Sequence, residues 1–300
     1  NKQYKPVDHH KKKVKFMKKK KKKKNILGRD FIIGDIHGCL EEFNKVLEHL
    51  AFDKNVDRMF SVGDLVDRGP NSVGCLALLD EEWFHAVIGN HEVLFYDAVA
   101  SWDDNDNTPI YKKSYTLNTW MSNGGYWIED RNQMRGMTNA KLQHILDNVK
   151  NLPNIIRISG YEKTVNITHA ELYSNVVDLN EELIENLNQM ELDAQNNYDV
   201  FEILSSIKQQ CCWGRRVVKN ATNESKTEIE DLTLLDQIVV CGHSVVTQPS
   251  IYKNHIFIDG GACFKPKKGL HDNTICLDFA SLYPSIIMAF NICWSTLVDP

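Results

Sequence analysis

The chain reads as an α/β protein in which two packed sheets are flanked by helices, and three observations predict it. Short apolar runs at 31–33, 59–62 and 86–88 each end in a polar, glycine-containing turn. Each turn leads into apolar residues at helical spacing, as in Leu40, Phe43, Leu47 and Leu50. Further strand-like runs at 164–167, 238–241, 256–258 and 274–278 follow and close a second sheet. Repeated strand–helix units imply a largely parallel sheet with covered faces, and 300 residues suit one such domain with extensions.

In chain order, the first strand runs into Gly34-Asp35-Ile36-His37-Gly38 and a helix from Leu40. The second runs into Gly63-Asp64-Leu65-Val66-Asp67-Arg68-Gly69, and a helix over 72–79 opens near Pro70. The third runs into Gly89-Asn90-His91-Glu92 and a helix from His91. Residues 101–113, rich in Asp and Asn around Pro109, are expected to be a surface insertion. A helix is predicted over 138–149, ending before Pro153, and polar helices over 178–210 are expected to form a cap near the site.

The three turns recur at intervals of about 27 residues and supply only oxygen and imidazole donors. Asp35 and His37, two apart, can face one ion. Asp64, ending the next strand, is the natural bridging carboxylate, and Asn90 can offer an amide oxygen to a second ion. Two more histidines are needed, and His169 and His243 each follow a β-branched run. Strand ends converge at one edge of an open sheet, where such folds place their sites. Taken singly, each motif also fits an ordinary turn or helix cap. Five in this order fit the two-metal hydrolysis of a phosphate far better. His91 adjoins a ligand without being expected to be one, so it is the candidate general acid. Asp67 would orient it and favour its charged form. Arg68 should grip two phosphate oxygens at once.

These segments resemble the phosphoprotein phosphatase branch of the metallophosphoesterases in its phage-lambda-type form. That pattern reads GDxHG, GDxxDRG and GNHE, then histidines in HA and GH contexts, here His169-Ala170 and Gly242-His243. The resemblance covers roughly residues 28–278. It implies a metallophosphoesterase-like sandwich and two divalent ions, Mn ahead of Fe or Zn. One ion would be held by Asp35, His37 and Asp64, the other by Asp64, Asn90, His169 and His243, and a bridging water or hydroxide would attack phosphorus. It also implies a second phosphate-binding arginine in a W-x-R motif, which Trp213-Gly214-Arg215 supplies, so Arg215 is preferred to Arg216. Asn123-Gly124-Gly125 resembles the family's turn at the mouth of the site. One departure is Val245, where the family has proline after Gly-His-Thr.

The overall charge of −5 conceals a division. Residues 1–24 hold 13 of the 35 basic residues and one acid, so the remaining 276 carry 22 basic and 39 acidic residues, a net of −17. Such a body is too acidic for a general nucleic-acid platform. Residues 1–27 read as a disordered Lys-rich arm, because the run 18–24 is self-repelling. The arm could contact nucleic acid or another acidic surface. It lacks the apolar core of a secretory signal, and no run reaches membrane-spanning length. Eight cysteines without a CxxC pair suggest reduced thiols and a cytoplasmic setting, the host's if the chain is viral.

Residues 279–300 are expected to be a separate tail. With Asp278, the run Phe279-Ala280-Ser281-Leu282-Tyr283-Pro284-Ser285 resembles motif A of family B DNA polymerases, especially viral ones. No second polymerase aspartate motif accompanies it, and a lone aspartate cannot support two-metal nucleotidyl transfer. The leading expectation is therefore a metal-dependent phosphatase acting on phosphoserine or phosphothreonine in proteins. The alternatives are a symmetrical dinucleoside polyphosphate hydrolase and a polymerase fragment or fusion without polymerase activity.

Overall fold

The structure is a computed structural model describing residues 18–100, 115–172, 189–190, 193, 197–223, 237–246, 249–252, 254–261 and 276–278. Strands β1 (Lys19–Lys23), β2 (Asp30–Ile33), β3 (Arg58–Ser61), β4 (Phe84–Ala86), β5 (Ile155–Ser159) and β6 (Thr164–Ile167) precede β7 (Gln237–Cys241), β8 (Ser250–Tyr252), β9 (His255–Phe257) and β10 (Cys276–Asp278). They form a four-stranded sheet in the order β10-β2-β3-β4 and a six-stranded sheet in the order β1-β5-β6-β7-β9-β8. Strands β2, β3 and β4 run parallel, as strand–helix repeats require, and β10 is antiparallel to β2. The larger sheet is mixed: β5 with β6 and β8 with β9 are antiparallel, the other pairs parallel.

The two sheets face each other through Ile32, Phe60 and Val87 on one side and Ile156, Val165 and Val240 on the other. Alternation places the next residues on the outer faces. Phe31, Ile33 and Met59 meet Phe43 and Leu47 of helix α1 (Leu40–His49), Leu76 of α2 (Ser72–Ala77) and Phe95 of α3 (Asn90–Val99). Helices α4 (Tyr115–Ser122) and α5 (Asn139–Asn151) extend this layer with Trp120 and Leu146. Thr138 caps α5 by accepting from Lys141 N at 3.2 Å, and Asn71 caps α2 by accepting from Gly74 N at 2.8 Å. On the far sheet, Leu204 and Ile207 of α6 (Tyr198–Trp213) pack on Ile155 and Val239. Helix α7 (Arg216–Asn223) follows after two residues. Among the described residues no helix is long and apolar enough to cross a membrane.

Three expectations need adjustment. The lysine run is not disordered where it is described: residues 19–23 form the edge strand β1, parallel to β5 with Lys20 opposite Ile156 and Lys22 opposite Ile158. Backbone bonds Asn154 N–Lys18 O and Lys24 N–Ser159 O, both 2.7 Å, anchor its two ends. An edge position leaves one side of the strand in water, where lysine heads stay solvated and lysine also discourages further pairing. The third strand ends at Ala86 because Ile88 N leaves the ladder to donate to Pro153 O at 2.8 Å. Helix α6, predicted as part of a cap, packs Leu204 and Ile207 on the outer face of the large sheet and reaches the site through its last residue, Trp213. The insertion at 101–113, the segment 178–188 and the tail at 279–300 lie outside the described residues.

Candidate metal centre

Both sheets deliver their chemistry at one rim. Asp35 and His37 follow β2, Asp64 follows β3 and Asn90 opens α3 after β4, while His169 follows β6 and His243 follows β7. The turns are tightly wound. Of the six non-glycine residues with positive φ among the described residues, five are His37, Asp64, Asp67, Arg68 and His243. Such conformations cost of order 1–3 kcal/mol each and cluster where a site over-determines them. Gly242 is required by proximity: a side chain there would collide with Asp35 Oδ1.

The ring orientations are fixed from behind. His37 Nδ1 donates to Val66 O and His169 Nδ1 to Val62 O, each at 2.8 Å, so both rings turn Nε2 toward Asp64. His37 Nε2 lies 3.6 Å from Asp64 Oδ2, and His169 Nε2 lies 3.4 Å from Asp64 Oδ1. Asn90 Oδ1 sits 2.8 Å from His169 Nε2 and 2.9 Å from His243 Nδ1, and those two nitrogens are 3.2 Å apart. Donor atoms of His37, Asp64 and His91 all fall within 4.8 Å of one another, as do those of Asp64, His169 and His243. Asp64 is common to both groups.

Burial drives the electrostatics. It pushes His169 down to about 4, and His243 down to about 2 with help from His169 and Arg215. His37 is lowered by burial and then by Arg68. All three are thus neutral imidazoles. The Asp35 carboxyl is raised by burial, then by Asp259 and Asp64, and Asp64 is raised by burial against the pull of His91. Neutral imidazole lone pairs and buried carboxyls with too few cations around them suit divalent ions, and ring nitrogens held by backbone carbonyls are the usual support for metal-binding histidines. With only nitrogen and oxygen donors, the set fits Mn, Fe or Zn.

His91 Nδ1 lies 2.6 Å from Asp67 Oδ2. Asp67 is fully buried and held in turn by Trp127 Nε1 at 2.7 Å, Trp120 Nε1 at 3.0 Å and its own N–H to Ser72 Oγ at 3.0 Å. Burial lowers the His91 pKa, but the carboxylates of Asp64 and Asp67 outweigh it and the net shift is upward. Arg68 reaches over the site, Nη1 2.6 Å from His37 Nε2 and Nη2 2.9 Å from His91 Nε2. Arg215 is exposed on the other side, its Nη1 donating to Ser244 Oγ at 3.4 Å. A cavity of about 490 Å³ lies between the two arginines, lined also by Asp35, Asp64, His91 and His243.

All ten sequence-predicted residues therefore meet at this rim, with two rearrangements. His91 Nε2, rather than a carboxylate oxygen of Asp35, groups with His37 and Asp64. The Asp35 carboxylate accepts from His243 N at 3.1 Å and lies against Asp259. The turn lacking proline closes by Ser244 N donating to Gly242 O at 2.6 Å. Two buried acids had not been singled out. Glu92 accepts from the N–H groups of Asp64, Leu65 and Gly89 at 2.7–2.9 Å, tying the second and third turns together. Asp259, just beyond β9, lines the cavity. Glu92 stood inside a quoted motif, whereas Asp259 had no motif to mark it.

Residues 31–255 match the family model described as calcineurin-like phosphoesterase. Serine/threonine-protein phosphatase 1 of Salmonella typhimurium is 38% identical over 141 residues, covering 47% of this chain and 58% of that one. The match thus spans less than two thirds of that relative. Serine/threonine-protein phosphatase 2 of the same organism is 26% identical over 232 residues, 77% of this chain and 87% of the relative. A crystal structure provisionally named a diadenosine tetraphosphatase shares the fold, with a TM-score of 0.52, 20% identity and coverage of 88% of this chain and 95% of that one. A DNA polymerase family B model matches residues 212–300, less than a third of the chain and largely outside the described residues. The phosphoesterase match spans most of the chain and contains every residue of the rim except Asp259, so the chain belongs to the calcineurin-like phosphoesterase family.

Proposed function

We propose that this chain hydrolyses phosphate monoesters on phosphoserine or phosphothreonine side chains of proteins, using two divalent ions, manganese foremost. The observation that supports it is the pair of donor groups sharing Asp64 beneath a cavity flanked by Arg68 and Arg215. Asp64 with His37, and Asp64 with Asn90, His169 and His243, would hold the two ions, and Asp35 would complete the first group by turning from His243 N. When bound, such ions supply a nucleophile from water near neutral pH and offset charge on the phosphate. Arg68 and Arg215 bind the phosphate oxygens in fork geometry. Once Arg68 engages phosphate, His91 Nε2 is free to carry a proton and pass it to the leaving alkoxide. Asp67, held by two indoles, keeps that ring oriented and favours its charged form.

The 38% identity to a protein phosphatase favours a protein substrate. The deciding experiment loads the protein with Mn²⁺ and compares phosphate release from a phosphoserine peptide with hydrolysis of diadenosine tetraphosphate. A higher kcat/KM on the peptide is expected. Preference for the dinucleotide would replace the protein-substrate reading while keeping the same centre.

A further inference from the structure

Glu171 is completely buried, two residues beyond His169, and is not among the residues that line the cavity. Its carboxylate instead accepts two backbone N–H groups from the first turn of α7: Arg216 N at 2.9 Å and Val218 N at 3.0 Å. The first turn of a helix has N–H groups without partners inside the helix, and a carboxylate there also faces the positive end of the helix dipole. Arg215 is the residue immediately before that turn, and its carbonyl accepts from Lys219 N at 3.2 Å. Only Gly214 and Arg215 separate α6 from α7.

The same short segment is fastened to the other helix. Ala170 N donates to Cys211 O at 2.7 Å and Glu171 N to Gln210 O at 3.1 Å. Gly214 N also donates to Gln210 O, at 3.0 Å, and a Cβ on Gly214 would stand 2.6 Å from that carbonyl and 3.0 Å from Glu171 Oε2. The loop carrying Arg215 is therefore pressed against Glu171 with no room for a side chain at Gly214. Arg215 and the segment that carries His169 are thus joined through one buried carboxylate.

We infer that Glu171 is a positioning residue for Arg215: it holds the start of α7 and so fixes where the guanidinium meets the phosphate. The inference rests on the reading of Arg215 as a phosphate-binding residue. Loosening the loop should weaken phosphate binding before and during reaction alike, which raises KM more than it lowers kcat. Misplacement by about an ångström can cost up to ~10²-fold.

The test is a double-mutant cycle on the Mn²⁺-loaded protein, with Glu171→Ala, Arg215→Ala and the pair together. The readouts are kcat and KM on a phosphoserine peptide, the inhibition constant of inorganic phosphate, and metal content. Each single change should raise KM and the phosphate inhibition constant with two ions retained, and the pair should be no worse than Arg215→Ala alone. Glu171→Gln keeps side-chain volume and one acceptor oxygen, so it should fall between wild type and Glu171→Ala. Additive losses in the pair would overturn the inference, because Glu171 would then act by another route. Loss of an ion in Glu171→Ala or in Glu171→Gln would also overturn it, by routing the effect through His169. If Arg215→Ala leaves phosphate inhibition unchanged, the reading of Arg215 itself fails, and the inference with it.

Discussion

Replacing His91 with asparagine should separate substrates by their leaving groups. The ring is buried and its Nδ1 stands 2.6 Å from Asp67 Oδ2, while Asp67 is pinned by two indole N–H groups, so its direction is set before substrate arrives. General acid catalysis is typically worth ~10²–10⁴-fold, or about 2.7–5.4 kcal/mol of barrier. An alkoxide from phosphoserine leaves as a strong base and needs that proton, whereas nitrophenolate leaves as a weak one. His91→Asn should lower kcat on a phosphoserine peptide by about 10²-fold or more and on nitrophenyl phosphate by roughly 10-fold or less. The pH dependence gives a second signature. Burial opposes but the Asp64 and Asp67 charges raise the His91 pKa, so the acid is present at low pH and lost as pH rises through that raised value. The alkaline limb of the peptide profile should vanish in His91→Asn and move to lower pH in Asp67→Asn. Equal losses on both substrates with metal retained would refute the acid role. Loss of an ion would make His91 a ligand, an outcome that its Nε2, 3.8 Å from Asp64 Oδ2, makes worth measuring.

Other substitutions probe the centre and the frame. Asp64 belongs to both donor groups and Asp35 to neither, so Asp64→Asn should empty the site while Asp35→Asn retains part of its metal; equal metal content would refute the bridging role. Gly242→Ala should drive a methyl into Asp35 Oδ1 and Val62. At about 1–3 kcal/mol for such overpacking, the melting temperature should fall several degrees and Mn²⁺ affinity should drop; a wild-type affinity would remove the close-packing argument. Removing residues 1–24 should lower the melting temperature relative to removing 1–17. Only the longer deletion takes away β1 and the bonds of Lys18 and Lys24 to the β5 segment. Identical melting curves would contradict the paired edge strand.

Much of this candidate centre was legible because the turns that build it are local in sequence. Asp35, Asp64 and Asn90 each sit where a strand gives way to a helix, so their convergence follows from parallel pairing of β2, β3 and β4. His169 and His243 needed a second sheet, and β-branched runs before them were enough to place it. Asp259 was not legible, because its role depends on β9 lying beside β7 and on the close approach of two sheets across Gly34 and Gly242. Glu171 was missed for a similar reason: its partners are backbone N–H groups of a helix 45 residues on, which no side-chain motif announces. The lysine run misled because like-charge repulsion was weighed without the backbone pairing that an edge strand gains.

In the proposed reaction two ions share Asp64, and turnover depends on both. This dependence is tested most directly by stripping the protein of metal, titrating Mn²⁺, and following bound metal and phosphate release from a phosphoserine peptide together. Turnover should be negligible in the stripped protein and full as the second ion per chain binds. Full turnover in excess chelator, or saturation at one ion per chain, would contradict it.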